Sequence, residues 1–341
     1  MKLISFVIPT YNFAKFITQT LDSILQEDSS FYEIIIYDGF STDDTEAVVA
    51  QYLDKYNFIK YIRSNQRNNI DVDLNNAILE AAGKYIWTLS SDDLLIKGWL
   101  SYFLNTLKDN ESDIYLFPAV HCDIEMNKLY GYPILNFERN KSQNFTLNNN
   151  NDFLSYLDKI RTSEGLFSFC SACVVDRVKI LNTNFLSEAN GTCWRYASRI
   201  ILMSTFYPIK IFLAKDFIVL KRGDNDSFGG GGIIQRLKIA IIEWTNAIGF
   251  LKLDPILEGA VLKKVHSDIG FITLFYIKQM YIKNDDDLAL YESIIKNKYP
   301  DKSILVWMLL KIPSVKILRF LFTILHKAKF GVVYRRYRIY F

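Results

Sequence analysis

Histidine and cysteine are scarce in this sequence, with three histidines and four cysteines among 341 residues. His121 lies in a predicted strand, and we interpret it as part of the core or of a pocket wall, not as a metal ligand. Cys170 and Cys173 form a CxxC pair, but no second Cys or His pair lies at ligand spacing. The surrounding "LFSFCSACVV" is typical of a buried strand, so we expect reduced core thiols and no zinc site.

Long hydrophobic runs are also absent. No uninterrupted apolar stretch reaches the ~18–20 residues that a membrane-spanning helix needs. The N-terminal "MKLISFVIPTYN" carries one Lys, and Pro9 ends its apolar stretch, which is unlike a signal peptide. The glycine run in "DNDSFGGGG" (224–232) is no dinucleotide fingerprint, because that motif joins the first strand to the first helix. We therefore expect a cytoplasmic protein.

Acidic residues are missing from 302–341, which contains nine Lys and Arg. Residues 1–301 hold 31 basic and 37 acidic residues, a formal charge of −6. The basic tail, 303–341, alternates apolar clusters with cations and carries Trp307 and three tyrosines, a pattern typical of a membrane surface. A helical cap on the body and a nucleic-acid patch are the alternatives, and we favour peripheral membrane association without nucleic-acid binding.

The first hundred residues alternate apolar strands with helical patterns. Strands are predicted at 3–9, 32–38, 59–64 and 84–90, and helices at 13–26, 41–56 and 72–82. Ser41 or Thr42 is the expected N-cap of the second helix. This order predicts a parallel sheet with helices on both faces. Three polar clusters would then lie at the carboxyl ends of strands, where ligands bind in such sheets: Thr10–Asn12, Asp38 and Ser90–Asp93.

The pattern is mixed after residue 100. Strands are predicted at 113–125 and 210–223, a strand running into a helix at 168–180, a helix at 194–206 and a flexible loop at 224–232. Beyond the loop we expect only helices, at 233–252, 256–282, 286–298 and 303–329, the last broken near Pro313.

Asp92 and Asp93 are adjacent carboxylates at the end of an apolar run. Two hypotheses explain the pair. The acids could cap the following helix, a common arrangement that is worth about 1 kcal/mol. Alternatively they could form part of a divalent cation site that holds a diphosphate, since Mg²⁺ and Mn²⁺ are bound through one or two carboxylates plus substrate phosphates.

Three motifs carry a family resemblance: "FVIPTYN" at 6–12, "YDGFSTDDT" at 37–45 and "GKYIWTLSSDD" at 83–93. Together they resemble glycosyltransferase family 2, the inverting GT-A enzymes that build bacterial polysaccharides, and look closest to the O-antigen abequosyltransferase-like enzymes. The resemblance implies an α/β GT-A fold, a Rossmann-like mixed sheet with a C-terminal helical extension. It implies a catalytic domain at 1–228, with halves at about 1–100 and 101–228, and a helical region at 229–341.

The resemblance also assigns donor-binding roles. Pro9, Thr10 and Tyr11 would pack against the base and ribose of the nucleotide. Asp38 matches the first acid of a paired motif whose second acid, which commonly reads uracil N3–H, falls on Gly39. That substitution weakens the case for UDP and leaves CDP or dTDP donors open. Arg67 could approach the nucleotide or be a solvated loop residue.

The metal motif departs from the family at Ser90, where an acid is usual. The resemblance then places Asp92 toward the ribose and Asp93 on the metal, and both are candidate ligands of Mg²⁺ or Mn²⁺. One direct protein ligand is enough if the donor diphosphate supplies the others.

The remaining roles follow the same resemblance. Glu188 in "LSEANGTCW" is the candidate base, with Asp224 and Asp226 in reserve. Arg222 could pair with the diphosphate, and the loop after it could add donors from Asn225 and Ser227.

The resemblance and the basic tail together predict a metal-dependent, inverting sugar transfer. The acceptor would be a hydroxyl of an undecaprenyl-diphosphate-linked saccharide at the cytoplasmic face of the bacterial inner membrane. The C-terminal helices are also candidates for a homodimer contact. Two alternatives stay open: a nucleotidyltransferase, and a non-catalytic nucleotide-binding module of the same fold.

Overall fold

A computed structural model describes residues 2–132, 134, 141–184, 186–223, 232–299, 304–311 and 339–340. Its strands are β1 Ile4–Thr10, β2 Tyr32–Asp38, β3 Ile59–Arg63, β4 Tyr85–Thr88, β5 Leu94–Leu95, β6 Ile114–Leu116, β7 Ala119–Cys122, β8 Lys128–Tyr132, β9 Gln143–Leu147, β10 Cys173–Asp176, β11 Ile209–Leu213, β12 Val219–Lys221 and β13 Ile339–Tyr340.

Its α-helices are α1 Ala14–Leu25, α2 Thr45–Leu53, α3 Ile70–Leu79, α4 Trp99–Asp109, α5 Asn150–Lys159, α6 Arg177–Asn182, α7 Arg195–Phe206, α8 Gly232–Lys238, α9 Trp244–Gly249, α10 Pro255–Ser267, α11 Phe271–Tyr281, α12 Asp285–Lys298 and α13 Ile304–Lys311. Short 3₁₀ turns lie at Ser29–Phe31, Ser163–Leu166, Cys170–Ala172 and Ser187–Ala189, and a π-helical turn at Ile239–Glu243.

The larger sheet has the strand order β3-β2-β1-β4-β10-β6-β11-β9. Its first four strands are parallel, with Ile4 of β1 opposite Tyr32 of β2 and Tyr85 of β4. β10 enters antiparallel between β4 and β6. The predicted parallel half is therefore confirmed, and the whole is the mixed sheet that the family resemblance implies.

Helices cover both faces of the parallel half, as predicted. Alternate residues of a strand face opposite sides, so Val7 packs with α3 and α7 while Phe6 packs with α1 and α4. Trp87 of β4 stacks between Phe6 and Phe117, with ring centroids 5.3 and 5.5 Å away. Burial of large aromatic rings on this face anchors the strands whose ends carry the site.

A second sheet has the strand order β13-β8-β7-β12-β5. Leu94 of β5 is paired with Leu220 of β12. This pairing brings the residue after Asp93 against the segment that leads to Arg222.

The C-terminal helices belong to two different hydrophobic clusters. α9 and α10 extend the core under the main sheet, through residues such as Trp244 and Leu257. α8, α11, α12 and α13 form a cluster of their own around Tyr291. The proposed boundary between 1–228 and 229–341 stays a prediction, because 224–231 lie outside the described residues.

The predicted cap of α2 is wrong. The helix begins at Thr45, and the N-cap position is Asp44. Ser41 Oγ instead accepts the amide N–H of Asn12 at 2.8 Å, and the amide of Thr42 donates to Asn12 Oδ1. Ser41 and Thr42 therefore tie the loop after β2 to the loop after β1.

Three predicted elements are shorter than expected. The strand at 113–125 is two strands, β6 and β7, separated around Pro118, which has no amide hydrogen to donate. The helix at 256–282 is interrupted before α11, whose N-cap is Gly270. The strand expected at the start of 168–180 begins only at Cys173, after a 3₁₀ turn. Of the helix predicted at 303–329 the structure describes 304–311, and Pro313 lies outside the described residues.

The four cysteines are free thiols. Cys173 is fully buried in the core, and burial raises the pKa of the Cys170 thiol to about 12. Cys173 thus agrees with the predicted core role, whereas Cys170 is only partly buried.

Candidate active site

The three predicted polar clusters meet at one edge of the sheet. Thr10 at the end of β1 is opposite Asp38 at the end of β2, and the Gly39 amide donates to the Thr10 carbonyl at 2.8 Å. Ser91 Oγ donates to the carbonyl of Pro9 at 2.7 Å. The carboxyl ends of β1, β2 and β4 thus form one continuous polar rim.

Asp92 and Asp93 do not cap a helix. The following helix, α4, starts at Trp99 with Gly98 at its N-cap, and strand β5 lies between it and the acids. Asp92 is 7% exposed and Asp93 is 2% exposed. The capping hypothesis is therefore wrong, and the cation-site hypothesis stays a prediction.

Asp93 is held in place by two hydrogen bonds. Ser171 Oγ donates to its Oδ2 at 2.6 Å, and the backbone amide of Arg222 donates to its Oδ1 at 3.1 Å. Burial, and then the neighbouring Asp92 carboxylate, raise the pKa of Asp93 to about 7. A buried carboxyl with a raised pKa beside a second carboxylate is typical of a functional site.

Ser90 takes part in the same cluster. Its hydroxyl donates to Asp92 Oδ1 at 2.6 Å, and its amide donates to Ser171 Oγ at 3.0 Å. Ser90, which stands where the resembled family motif usually carries an acid, therefore holds the Asp92 carboxylate by a hydrogen bond.

Arg222 is buried behind the two acids. Its Nε donates to the Asp92 carbonyl at 3.1 Å, and its other guanidinium nitrogens donate to the Ile124 carbonyl and to the Gln19 side chain. The guanidinium also lies over the Phe16 ring. Its hydrogen-bonding groups are therefore directed at the protein, not toward a ligand. Asn225 and Ser227, with the reserve acids Asp224 and Asp226, lie outside the described residues.

The predicted nucleotide-binding residues lie along the rim. Pro9 and Tyr11 are half-buried, and Thr10 is buried. Asp38 is fully buried, and its carboxylate accepts the Ser41 amide at 2.7 Å and the Tyr61 hydroxyl at 2.5 Å. Asp38 therefore shapes the loop that follows β2.

Arg67 lies at the same rim, beside the first strand. Its guanidinium is 3.6 Å from the centre of the Tyr11 ring, and its Nη1 is 3.4 Å from Asp73 Oδ2. Asp73 was missed by the sequence analysis, because it lies inside a helical pattern that offered no sign of its neighbours.

Glu188 is exposed on the 3₁₀ turn Ser187–Ala189. Asp71, which sequence reasoning also missed, is buried nearby and caps the start of α7. Its Oδ2 accepts the amides of Gly191 and Cys193 at 2.8 and 2.9 Å. These contacts fix the start of α7 relative to α3.

A cavity of about 290 Å³ lies between α3, α7 and α8. Its walls include Phe167, Cys170, Trp194, Tyr196 and Arg236. Cys170 precedes Ser171, the residue that donates to Asp93, so one short segment contributes both to the cavity wall and to the acid cluster. Trp194 is stacked on Trp244 at 4.0 Å, which gives the cavity a rigid aromatic side.

The donor set at the acids fits a hard divalent cation, since it consists of carboxylate and hydroxyl oxygens. Across the part of the chain that the structure describes, no group of three or more His, Cys, Asp or Glu side chains is arranged to hold a metal. Asp92 and Asp93 are accordingly the residues that could contribute to a cation site. A bound substrate would have to supply the further ligands.

Comparisons with known proteins establish the family of the chain. Residues 5–167 match the family Glycosyl transferase family 2. The chain is 31% identical over 248 residues to abequosyltransferase RfbV of Salmonella typhimurium, covering 71% of this chain and 73% of that protein. It is also 31% identical over 118 residues to GalNAc(5)-diNAcBac-PP-undecaprenol beta-1,3-glucosyltransferase of Campylobacter jejuni, covering 34% and 38%.

Among solved structures, the crystal structure of S. aureus TarS 1–349 in complex with UDP-GlcNAc superposes with a TM-score of 0.60 at 16% identity, covering 87% of this chain and 81% of that one. The fold is thus that of the GT-A glycosyltransferases. The chain belongs to glycosyl transferase family 2, and it is a glycosyltransferase. The nucleotidyltransferase and non-catalytic alternatives are set aside on this basis.

Proposed function

We propose that this glycosyltransferase moves a sugar from a nucleotide-sugar donor, with a UDP, CDP or dTDP carrier, to a hydroxyl of an undecaprenyl-diphosphate-linked saccharide, with inversion. The observation that carries the proposal is the buried acid pair at the strand ends, held by Ser171 and Arg222. The similarity of the chain to an abequosyltransferase and to a GalNAc(5)-diNAcBac-PP-undecaprenol beta-1,3-glucosyltransferase supports these classes of donor and acceptor.

Asp93, with Asp92 beside it, would hold Mg²⁺ or Mn²⁺. A bound cation would neutralise the charge that develops on the leaving nucleoside diphosphate. The donor diphosphate supplies the remaining ligands in this proposal, so donor and metal bind together.

Arg222 is a positioning residue in this proposal. Its amide fixes one oxygen of Asp93, and its Nε fixes the backbone of Asp92. Diphosphate contacts are left to the loop that follows, in which Asn225 and Ser227 stay predicted donors.

The first prediction concerns the reaction and its metal. The purified enzyme should release a nucleoside diphosphate from its nucleotide-sugar donor when Mn²⁺ or Mg²⁺ is present, and EDTA should lower the rate at least 100-fold. Mass spectrometry of the products identifies the leaving group. Full activity after exhaustive chelation would contradict the proposed requirement for a metal ion. Release of inorganic diphosphate would contradict sugar transfer.

We also propose that the basic tail, 303–341, associates with the membrane surface. Its first segment, α13, is part of the body: Val306 and Leu309 are buried, and Lys278 Nζ donates to the Leu309 carbonyl. At the other end, Ile339 of β13 pairs with Gly131 of β8. A variant that removes charge is therefore a cleaner test than a deletion. In the part of the chain that the structure describes, no helix is long and apolar enough to span a bilayer.

The second prediction uses that variant, which replaces four tail cations by glutamine: Lys316, Arg319, Lys327 and Lys329. Each cation near an anionic surface is worth about 1 kcal/mol, so we expect binding to anionic vesicles to weaken at least 100-fold in flotation assays. The matched control replaces four exposed lysines of the body: Lys55, Lys97, Lys108 and Lys159. Equal loss of flotation in both variants would refute a specific role of the tail.

A further inference from the structure

The cavity of about 290 Å³ between α3, α7 and α8 is walled mainly by aromatic and aliphatic side chains, among them Ile70, Leu74, Phe167, Trp194, Ile239 and Ala240. Of these, Ile70, Trp194 and Ile239 are only half-buried. Apolar surface that stays open to water is unfavourable, and a cavity with apolar walls takes up apolar molecules. The walls are therefore suited to a hydrocarbon ligand.

Several polar groups of the wall already have partners within the protein. Asp71 accepts the amides of Gly191 and Cys193 at 2.8 and 2.9 Å, and Ser168 Oγ lies 3.3 Å from Ser163 Oγ. Burial raises the pKa of the Cys193 thiol to about 12, so the thiol is uncharged at neutral pH and only weakly polar. A sugar ring would bring several hydroxyls against these walls and leave them short of partners, which is costly. A hydrocarbon meets no such penalty.

The backbone around the cavity is unusual on both sides. Phe167 and Cys193 have φ angles of 66° and 70°, in the left-handed region that bulky residues rarely adopt. On the other side, α8 continues into the π-helical turn Ile239–Glu243, whose first carbonyl accepts Trp194 Nε1–H at 2.7 Å. Strained residues and π-helical turns concentrate at ligand-binding sites. Two independent features of the backbone thus mark this cavity as a binding site and not a packing defect.

The helix α8 joins the cavity to the start of the basic tail. Ile234 and Leu237 of this helix belong to the hydrophobic cluster that contains Val306 and Leu309 of α13. The π-helical turn that follows α8 lines the cavity. A lipid substrate held at a membrane surface by the tail would therefore have apolar protein surface close to it.

We propose that this cavity binds the isoprene units of the lipid acceptor that lie nearest to its diphosphate. The inference rests on the proposed function, and it adds a site for hydrocarbon to the site for the nucleotide-sugar. An apolar cavity of about 150 Å³ is large enough to hold benzene, so this cavity has room for isoprene units of five carbons each. The enzyme would then recognise its acceptor partly by the lipid.

Binding of farnesyl diphosphate to the full-length protein tests the inference. It is titrated by calorimetry in EDTA, so that no cation at the acid pair holds the diphosphate, and inorganic diphosphate is titrated in parallel. We expect farnesyl diphosphate to bind at least tenfold more tightly, because its hydrocarbon leaves water. Ala240→Phe fills the cavity and should weaken farnesyl diphosphate at least tenfold while inorganic diphosphate is unchanged. Ala289→Phe, exposed on α12, is the matched control and should bind both as the wild type does.

A measurement on the wild type needs no variant to fold. Cys193 is half-buried in the cavity wall. Farnesyl diphosphate at about ten times its Kd should slow the modification of this thiol by N-ethylmaleimide about tenfold, as followed by peptide mass spectrometry.

Three results would each overturn the inference: equal affinity for farnesyl and inorganic diphosphate, equal loss of farnesyl diphosphate in the Ala240 and Ala289 variants, or no protection of Cys193. The proposed function fails separately, through the absence of nucleoside diphosphate release in the metal assay. Binding of farnesyl diphosphate in EDTA does not depend on that reaction, so the two failures are distinguishable.

Discussion

Replacing Asp93 by asparagine should lower kcat/KM for sugar transfer by about a thousandfold, equivalent to ~4 kcal/mol of transition-state stabilisation. The change keeps the shape of the side chain and removes its charge. It therefore removes the charged carboxylate that would bind the proposed cation. The remaining amide oxygen can still accept a hydrogen bond from Ser171 or from the Arg222 amide.

Stability should move differently from activity in this variant. Asp93 is 2% exposed, and burial raises the pKa of its carboxyl, which means that the folded state disfavours the charged form. Removing that charge offsets the hydrogen bond that one of the two donors loses, so the free energy of unfolding at pH 8 should stay within about 1 kcal/mol of the wild type, as measured by urea titration. Activity and stability are then separated in one protein.

The control for this experiment is Glu111→Gln, which removes an exposed acid that pairs with Lys84. Exposed ion pairs contribute little, so both activity and stability should be unchanged. If the Asp93 variant kept more than a tenth of wild-type activity, the cation role of this residue would be refuted.

The parallel half of the fold was predictable because its strands are continuous apolar runs separated by helical patterns. Once the strands are parallel, their carboxyl ends must lie at one edge, so the meeting of Thr10, Asp38 and Asp93 follows from topology alone. Breaks inside elements were harder to foresee. Gly270 interrupts a helical pattern, and the 3₁₀ turn before Cys173 interrupts an apolar run; both depend on tertiary packing that periodicity does not record.

Side-chain partners distant in sequence were the part that could not be predicted. Arg222 was expected to face the diphosphate, yet its guanidinium is bound by groups from α1 and from the turn after β7. Asp73 fills the space beside Gly39 from another helix. A sequence motif compares residues at fixed spacing along the chain. It therefore shows that position 39 lacks an acid, but it does not show that Asp73 lies beside that position in the folded protein.

The base of the proposed reaction gives the second large expected effect. Inversion by direct displacement requires a group that removes the acceptor hydroxyl proton, and we propose Glu188 for this role. It is exposed on the turn Ser187–Ala189, a few residues before Cys193 and Trp194, which line the cavity. Glu188→Gln should lower kcat by 10²- to 10⁴-fold, with donor binding unchanged in calorimetry.

Asp71 provides the comparison that separates chemistry from structure. It also lines the cavity, but its carboxylate accepts backbone amides at the start of α7, from Gly191, Cys193 and Arg195. Asp71→Asn should therefore lower the free energy of unfolding by about 1–3 kcal/mol, because a buried amide group loses its acceptor. Glu188→Gln should leave that free energy unchanged. If Glu188→Gln instead kept full activity while Asp71→Asn lost turnover without loss of stability, the base would be Asp71, and the start of α7 would carry the catalytic proton transfer.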